Sequence, residues 1–231
     1  MKNRVLGLLL STILVASLVT GCGTTDAAAT ETTGEAATEE VAAQPAAEDN
    51  VVKVALIAPI TGGYALFGEA GQNSAQMAVE EINALGGIQI ELLNGGNAVD
   101  DAGDSKQAVN AYNSVTAESP EAICGTFSSS CSIPMAELAQ EDGLLLISPS
   151  ATNYKLTLIG PNIFRACFID PYQGKMAAKF AKQEGYTKAA VIYAKDDDYS
   201  NGLKDAFVEN AEANGIEIVY TGECTTKDTD Y

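Results

Sequence analysis

From residue 51 onward, short apolar runs of strand length alternate with longer segments whose apolar residues fall at helical spacing. Residues 51–57 read as a buried strand, bounded by Pro59 and Gly62. A glycine-rich loop is expected over 61–71. Ala75, Ala78, Val79, Ile82 and Leu85 then form a helix face, which Gly86-Gly87 stops. Residues 88–93 read as a strand and 94–103 as a polar turn. Asp104 can cap a helix with Ala108, Val109, Ala111, Tyr112 and Val115 inside. Strand 121–124, a short helix around 134–140 and strand 144–147 follow. Beyond 163–169 come helix 171–184, strand 189–193, helix 199–214 and strand 216–221. This order predicts an α/β fold with a parallel sheet and helices on both faces. The second unit has only two strands and two helices, too few to close a core. The chain is therefore expected to be a fragment, or to draw partner elements from elsewhere.

The first fifty residues read differently. Residues 1–21 start with Lys2 and Arg4 and run apolar from 5 to 19. Fifteen residues are short for a bilayer span, and the basic, apolar, small order is that of an export signal. Val19-Thr20-Gly21-Cys22 resembles a bacterial lipobox, which implies lipidation of Cys22; an ordinary signal peptide with a chance cysteine is the alternative. Residues 22–50 hold seven acidic residues, no Lys or Arg, and only Val41 as a sizeable apolar residue. Such a stretch cannot bury enough surface to offset its ordering entropy, and it reads as a flexible acidic tether.

Charge and composition then exclude several functions. The chain carries −18; setting aside the signal (+2) and the tether (−7) leaves −13 on the remainder. That argues against nucleic acid, which needs clustered Lys and Arg. There is no histidine, so Ser-His-Asp catalysis and His-ligated zinc are ruled out. Cys124, Cys131, Cys167 and Cys224 match no metal or redox spacing, and Cys124–Cys131 is the nearest pair for a disulfide. Asp100-Asp101-x-x-Asp104 lacks the spacing of a calcium loop, and Asp196-Asp197-Asp198 reads as helix capping and surface charge. No metal or cofactor is expected. No nucleophile–base pair is visible, so no enzyme is expected either.

Two hydroxyl-rich loops are left. Gly125-Thr126-Phe127-Ser128-Ser129-Ser130 and Ser148-Pro149-Ser150-Ala151-Thr152 each follow a strand-like run, about one strand–helix–strand unit apart. In a parallel sheet both emerge at the edge where open α/β folds bind ligands. Hydroxyls and free backbone N–H groups suit a small anionic or zwitterionic group. Ser128–Ser130 could equally serve only to cap the following helix.

The remaining motifs carry a family resemblance. They are Ala58-Pro59-Ile60-Thr61-Gly62 with Phe67-Gly68, Ala78-Val79-Glu80-Glu81-Ile82-Asn83 with Gly86-Gly87, Asp100-Asp101-Ala102-Gly103-Asp104, the Ser148–Thr152 loop, Phe164-Arg165 with Asp170, and Asp198-Tyr199-Ser200-Asn201-Gly202. In this order they resemble the substrate-binding proteins of branched-chain amino-acid ABC transporters, the leucine/isoleucine/valine-binding type. The resemblance implies a type I periplasmic-binding fold of two α/β lobes, here 51–168 and an incomplete 169–231, with a hinge near 168–171. It implies an extracytoplasmic, lipid-anchored protein that captures an amino acid, most simply a branched-chain one, for ABC permease subunits. A ligand-sensing receptor domain, or a binder of amides, urea or other amino acids, is the alternative on the same fold. By the same resemblance Ser129 meets the ligand carboxylate, Ser150, Ala151 and Thr152 hold the head group, and Phe67 and Tyr199 lean on the ligand from either lobe. Tyr64 is a weaker candidate beside Phe67. The stretch 94–99 departs from the family pattern, and the family's acidic partner for the ligand ammonium falls beyond residue 231.

Overall fold

The computed structural model describes residues 50–230; the expected signal and tether, Cys22 included, lie outside them. The first part is built from β1 (Val51–Ala58), α1 (Ala65–Ala84), β2 (Gln89–Leu92), β3 (Val99–Asp100), α2 (Ser105–Thr116), β4 (Ala122–Cys124), α3 (Ser129–Asp142), β5 (Leu145–Ser148) and β6 (Ile163–Arg165). These strands form one sheet in the order β2-β1-β4-β5-β6, with β3 also paired to β1. All its pairings are parallel. The second part is α4 (Asp170–Gln183), β7 (Lys188–Ala194), α5 (Asp198–Ala213) and β8 (Glu217–Cys224), with β7 and β8 pairing in parallel.

The first sheet packs a continuous core. Ala55 and Ile57 of β1, Ile123 of β4 and Leu146 of β5 meet Tyr112 and Val115 of α2 and Met135 of α3. Tyr112 is buried yet polar at its tip, and its hydroxyl donates to Asp142 Oδ2 at 2.6 Å. Burial and that carboxylate raise the phenol above its ordinary range. The second sheet has a thin core of Ala178, Ala211 and Ile216, with Phe207, Ala189 and Ile218 against it.

Helix starts follow the sequence signals. Asp104 accepts from the N–H groups of Lys106 (3.0 Å) and Gln107 (3.1 Å), Ser128 from that of Cys131 (3.2 Å), and Asp197 from that of Ser200 (2.9 Å). Pro171 stands in the first turn of α4, where its missing N–H costs nothing.

Three expectations need correction. The glycine-rich segment is not an open loop: only Gly62–Tyr64 turns, and α1 begins at Ala65. Gly68 and Gly71 sit in its first turns because of close approach. A Cβ on Gly68 would overlap the Pro59 carbonyl, and one on Gly71 would overlap the Phe127 ring. The expected inner face of α1 is largely exposed, with Leu85 86% and Ile82 42% accessible. Polar ties hold α1 instead: Gln72 Oε1 accepts from Ala98 N (2.8 Å) and Gln76 Nε2 donates to Gly96 O (2.7 Å). Helix α3 starts five residues before Pro134, which suggested a helix start but stands in the second turn. Among the described residues the cysteines, whose pairing the sequence left open, are all free: Cys124 and Cys131, the nearest pair, do not join, nor do Cys167 and Cys224. Burial pushes the Cys131 thiol up to about 12, so it serves as a core group.

Candidate functional site

Register puts the two hydroxyl loops side by side. β4 and β5 pair with Cys124 opposite Ile147, so both strands end at one edge. Gly125 N donates to Ile147 O (2.9 Å) across that edge. The loops are then stitched together. Ser148 Oγ and Ser132 Oγ both donate to Thr126 O (2.6 and 2.9 Å), Ser150 Oγ donates to Phe127 O (2.8 Å), and Asn153 N donates to Ser129 Oγ (3.2 Å). Arg165 shapes the second loop from behind, donating to the carbonyls of Ala151 (2.8 Å), Asn153 (2.7 Å) and Tyr154 (3.2 Å) and to Thr157 Oγ1 (3.0 Å). Every hydroxyl in that stitching is held in place, which is the preorganisation a small polar ligand needs.

A third loop joins from β1. Asp100 accepts from Ile60 N (2.8 Å), Thr61 N (3.1 Å), Thr61 Oγ1 (2.5 Å) and Ala102 N (2.8 Å). Partial burial works against its charge, but the hydrogen bonds win and hold the carboxyl below its ordinary value. Asp101 next to it is fully buried, accepting from Gly103 N (2.8 Å) and the Thr126 hydroxyl. Burial dominates there, and its carboxyl is raised to about 6. These two carboxylates pin the β1 loop to the first hydroxyl loop.

The second sheet closes on this edge through α5. Ser130 Oγ donates to Asp197 Oδ1 (2.9 Å) and accepts from Asp198 N (2.8 Å), while Asn153 Nδ2 donates to Asp198 O (2.7 Å). Between the parts lies a cleft of about 320 Å³. Tyr64, Phe67, Phe127, Phe168 and Tyr199 form its aromatic walls, and Ser128, Ser129, Ser150, Thr152 and Gln173 supply polar groups. Asp101 and Asp197 also line it, and no Lys or Arg does. The start of α3 faces it, where the first-turn N–H groups lack intrahelical partners and the helix dipole favours negative charge.

A family model described as periplasmic binding protein matches residues 51–231. The chain belongs to the periplasmic binding protein family. The Leu/Ile/Val-binding protein BraC3 of Rhizobium johnstonii is 36% identical over 181 residues, covering 78% of this chain and 49% of its own length. An amino acid binding protein of Pseudomonas aeruginosa is 37% identical, covering 74% of this chain and 46% of its own length. Among solved structures, the leucine-binding protein LivK of Thermotoga maritima superposes with a TM-score of 0.69 at 32% identity, covering 78% of this chain and 50% of that one. LivJ of Streptococcus pneumoniae, solved with isoleucine, does so at 0.69 and 30%, covering 78% and 51%. The chain thus spans about half the length of the relatives it matches. The two α/β parts are those of the type I periplasmic-binding fold, and the relatives are solute-binding proteins rather than enzymes.

Within this family fold, the residues expected at the site meet the cleft with one exception. Phe67, Ser129, Ser150, Thr152 and Tyr199 all line it, as does Tyr64. Ala151 does not: it is buried in the first core, and its carbonyl is taken by Arg165. Phe67 projects from the first turn of α1, not from a loop, and is 62% exposed. Sequence reasoning missed Asp101, Phe127, Phe168, Gln173 and Asp197. Phe127 had a signal, since it sits inside the first hydroxyl loop. Asp101 and Asp197 were read only as parts of acidic runs, and their places at the edge depend on contacts far apart in sequence.

Proposed function

We propose that this chain forms the ligand-capturing cleft of an extracytoplasmic amino-acid-binding protein, tethered to the membrane through lipidated Cys22, that hands its ligand to an ABC permease. The carrying observation is the charge pattern of the cleft. Hydroxyls and the α3 N-terminus offer donors to a carboxylate, yet the walls carry Asp101 and Asp197 and no cation. A bare carboxylate would meet acidic neighbours without a positive partner. A zwitterion brings its own positive charge and suits such a site better. The aromatic walls then favour an apolar side chain, in line with the ligands after which BraC3 and LivK are named and the isoleucine bound to LivJ.

A thermal-shift screen of the full-length protein tests this reading, because a ligand that binds only the native state raises its melting temperature. Leucine, isoleucine or valine should raise it, and benzoate, an anion without an ammonium, should not. A shift with benzoate and none with any amino acid would overturn the zwitterion reading. For the anchor, mass spectrometry of the membrane fraction should find acyl chains on Cys22, and Cys22→Ser should release the protein; an unmodified, soluble wild type would refute it.

A further inference from the structure

Tyr199 stands in the first turn of α5 and is 39% exposed, so packing alone does not fix its ring. A hydrogen bond at its far end does: Gln173 Nε2, from early in α4, donates to Tyr199 Oη at 2.9 Å. Gln173 is itself on a fixed base. Its backbone N–H donates to Ile169 O (3.2 Å). The two helices also meet at glycines: a Cβ on Gly174 would lie 2.6 Å from Ala206, and one on Gly202 would lie 2.6 Å from Asp170 Oδ2. Helices packed this closely have little room to slide past each other. Gln173 stands at a boundary as well. It lines the ligand cleft, and it lines a second groove of about 330 Å³ together with Ile192, Ser200 and Leu203. Tyr199 lines the cleft and not the groove. Ser200 and Leu203 belong to the same helix, so the groove is open space beside the tyrosine.

We propose that Gln173 is a positioning residue that keeps the Tyr199 ring in the cleft and out of the groove, so that the second part meets the ligand's apolar side chain with a wall already in place. An exposed tyrosine samples several rotamers, and immobilising it at the moment of binding opposes capture. The Gln173 amide immobilises it before the ligand arrives. The hydroxyl thereby serves the protein and the ring serves the ligand, which divides the two ends of an amphipathic side chain between two tasks. Without the amide the ring can turn into the groove, and part of the apolar contact is lost. This inference rests on the amino-acid reading above and adds to it the residue that sets the second wall.

A double-mutant cycle on the full-length protein tests it, titrated by calorimetry with whichever of leucine, isoleucine and valine binds tightest. Gln173→Met keeps the length of the side chain and removes the donor; Tyr199→Phe keeps the ring and removes the acceptor. Each should weaken binding about fivefold, the scale of one hydrogen bond between neutral groups. The double variant should be no worse than either alone. Gln173→Glu supplies the rescue: the tyrosine hydroxyl can turn its proton to the new carboxylate, so this variant should bind more tightly than Gln173→Met, and the gap between them should close in the Tyr199→Phe background. Independent losses, a rescue that survives Tyr199→Phe, or wild-type affinity in Gln173→Met would overturn the proposal. So would a much larger loss in Tyr199→Phe than in Gln173→Met, since the hydroxyl would then be meeting the ligand itself. Should Gln173→Met fail to fold, Tyr199→Phe decides alone, and wild-type affinity there overturns the proposal. Failure of wild-type protein to bind any amino acid is a different result: it removes the proposed function, and this inference with it.

Discussion

On the first sheet, β1 buries four residues in succession, Ala55, Leu56, Ile57 and Ala58. On the second, β7 leaves Ile192 68% exposed, and β8 leaves Val219 50% and Tyr220 60% exposed. The local signals are alike, apolar strands followed by amphipathic helices. The difference is coverage. Ala55 and Ile57 face the core built with α2 and α3, while Leu56 shares a groove with Gly71 and Gln72 of α1. Around β7 and β8, α4 and α5 spend much of their surface on each other: Gly174 packs so closely on Ala206 that a Cβ there would sit 2.6 Å from its backbone. A parallel sheet is stable when both faces are covered, and the first sheet comes nearer to that condition, although Ile147 and Phe164 on β5 and β6 stay 38% and 48% exposed. The cleft therefore lies between a firm wall and a softer one.

The sharpest way to break this comparison is to hollow each sheet in turn. Leu146→Ala, at a fully buried position of β5, should cost about 2–5 kcal/mol in a denaturation titration, the range for large-to-small core changes. Ile192→Ala on β7 should cost under about 1 kcal/mol, because most of its side chain already meets solvent. Equal losses would mean that the second sheet is covered by something else, and the contrast would fall.

A pH series probes the firm wall electrostatically. The Asp101 carboxyl is raised from 3.8 to about 6. The folded state therefore holds its proton more tightly than the unfolded state, and the Asp101 contribution falls as pH rises from about 4 to about 6. Two pKa units correspond to roughly 3 kcal/mol. Burial raises Asp170 too, so its contribution has the same sign. Asp100, held low, acts oppositely, losing its stabilisation only as pH drops below its ordinary value. Melting curves across this window should flatten markedly in Asp101→Asn. A slope unchanged by that substitution would show that Asp101 is not the group responsible.

These contrasts mark what the sequence could reveal. Strand–helix alternation, the parallel sheet and the capping residues Asp104, Ser128 and Asp197 were readable because each depends on neighbours within a few positions. The cleft edge and its two hydroxyl loops followed from the same order, whereas Ser129, Ser150, Thr152 and Tyr199 were singled out there by the family resemblance. Errors arose where a residue answers to a distant partner. Gly68 and Gly71 looked like loop formers, but they are helical glycines that make room for Pro59 and Phe127. Ile82 and Leu85 have helical spacing yet stay exposed, since spacing says which residues share a face and not whether anything lies opposite. Asp170 read as one motif residue among several; its burial depends on Thr152, Arg165 and Gly202, which only the fold brings around it.

Gly71 offers a smaller, more local test of the firm wall. Gly71→Ala places a methyl group where the Phe127 ring now lies. The ring must move, and it stands between the groove beside Gly71 and the ligand cleft, so its shift changes the cleft wall. The strain should cost about 1–3 kcal/mol, and leucine should lose more affinity than alanine. Gly71→Ala with Phe127→Ala removes the clash and should recover part of the stability. Losses that simply add would mean that the glycine does not seat the ring.

The smallest expected effect lies at the join between the two parts. Ser130→Ala deletes one bond to Asp197 and one from Asp198 N, both at the start of α5. Each hydrogen bond contributes about 1 kcal/mol net. Asp197 still caps α5 through Ser200 N, so the helix itself should persist. What should change is its hold on the first hydroxyl loop. Hydrogen exchange should accelerate several-fold at the first turn of α5 and leave the amides of β4 and β5 unaffected, because the stitching among Thr126, Ser132 and Ser148 does not pass through Ser130. If β4 and β5 loosened as well, the two parts would share one cooperative unit, and the division into a firm and a soft wall would have to be abandoned.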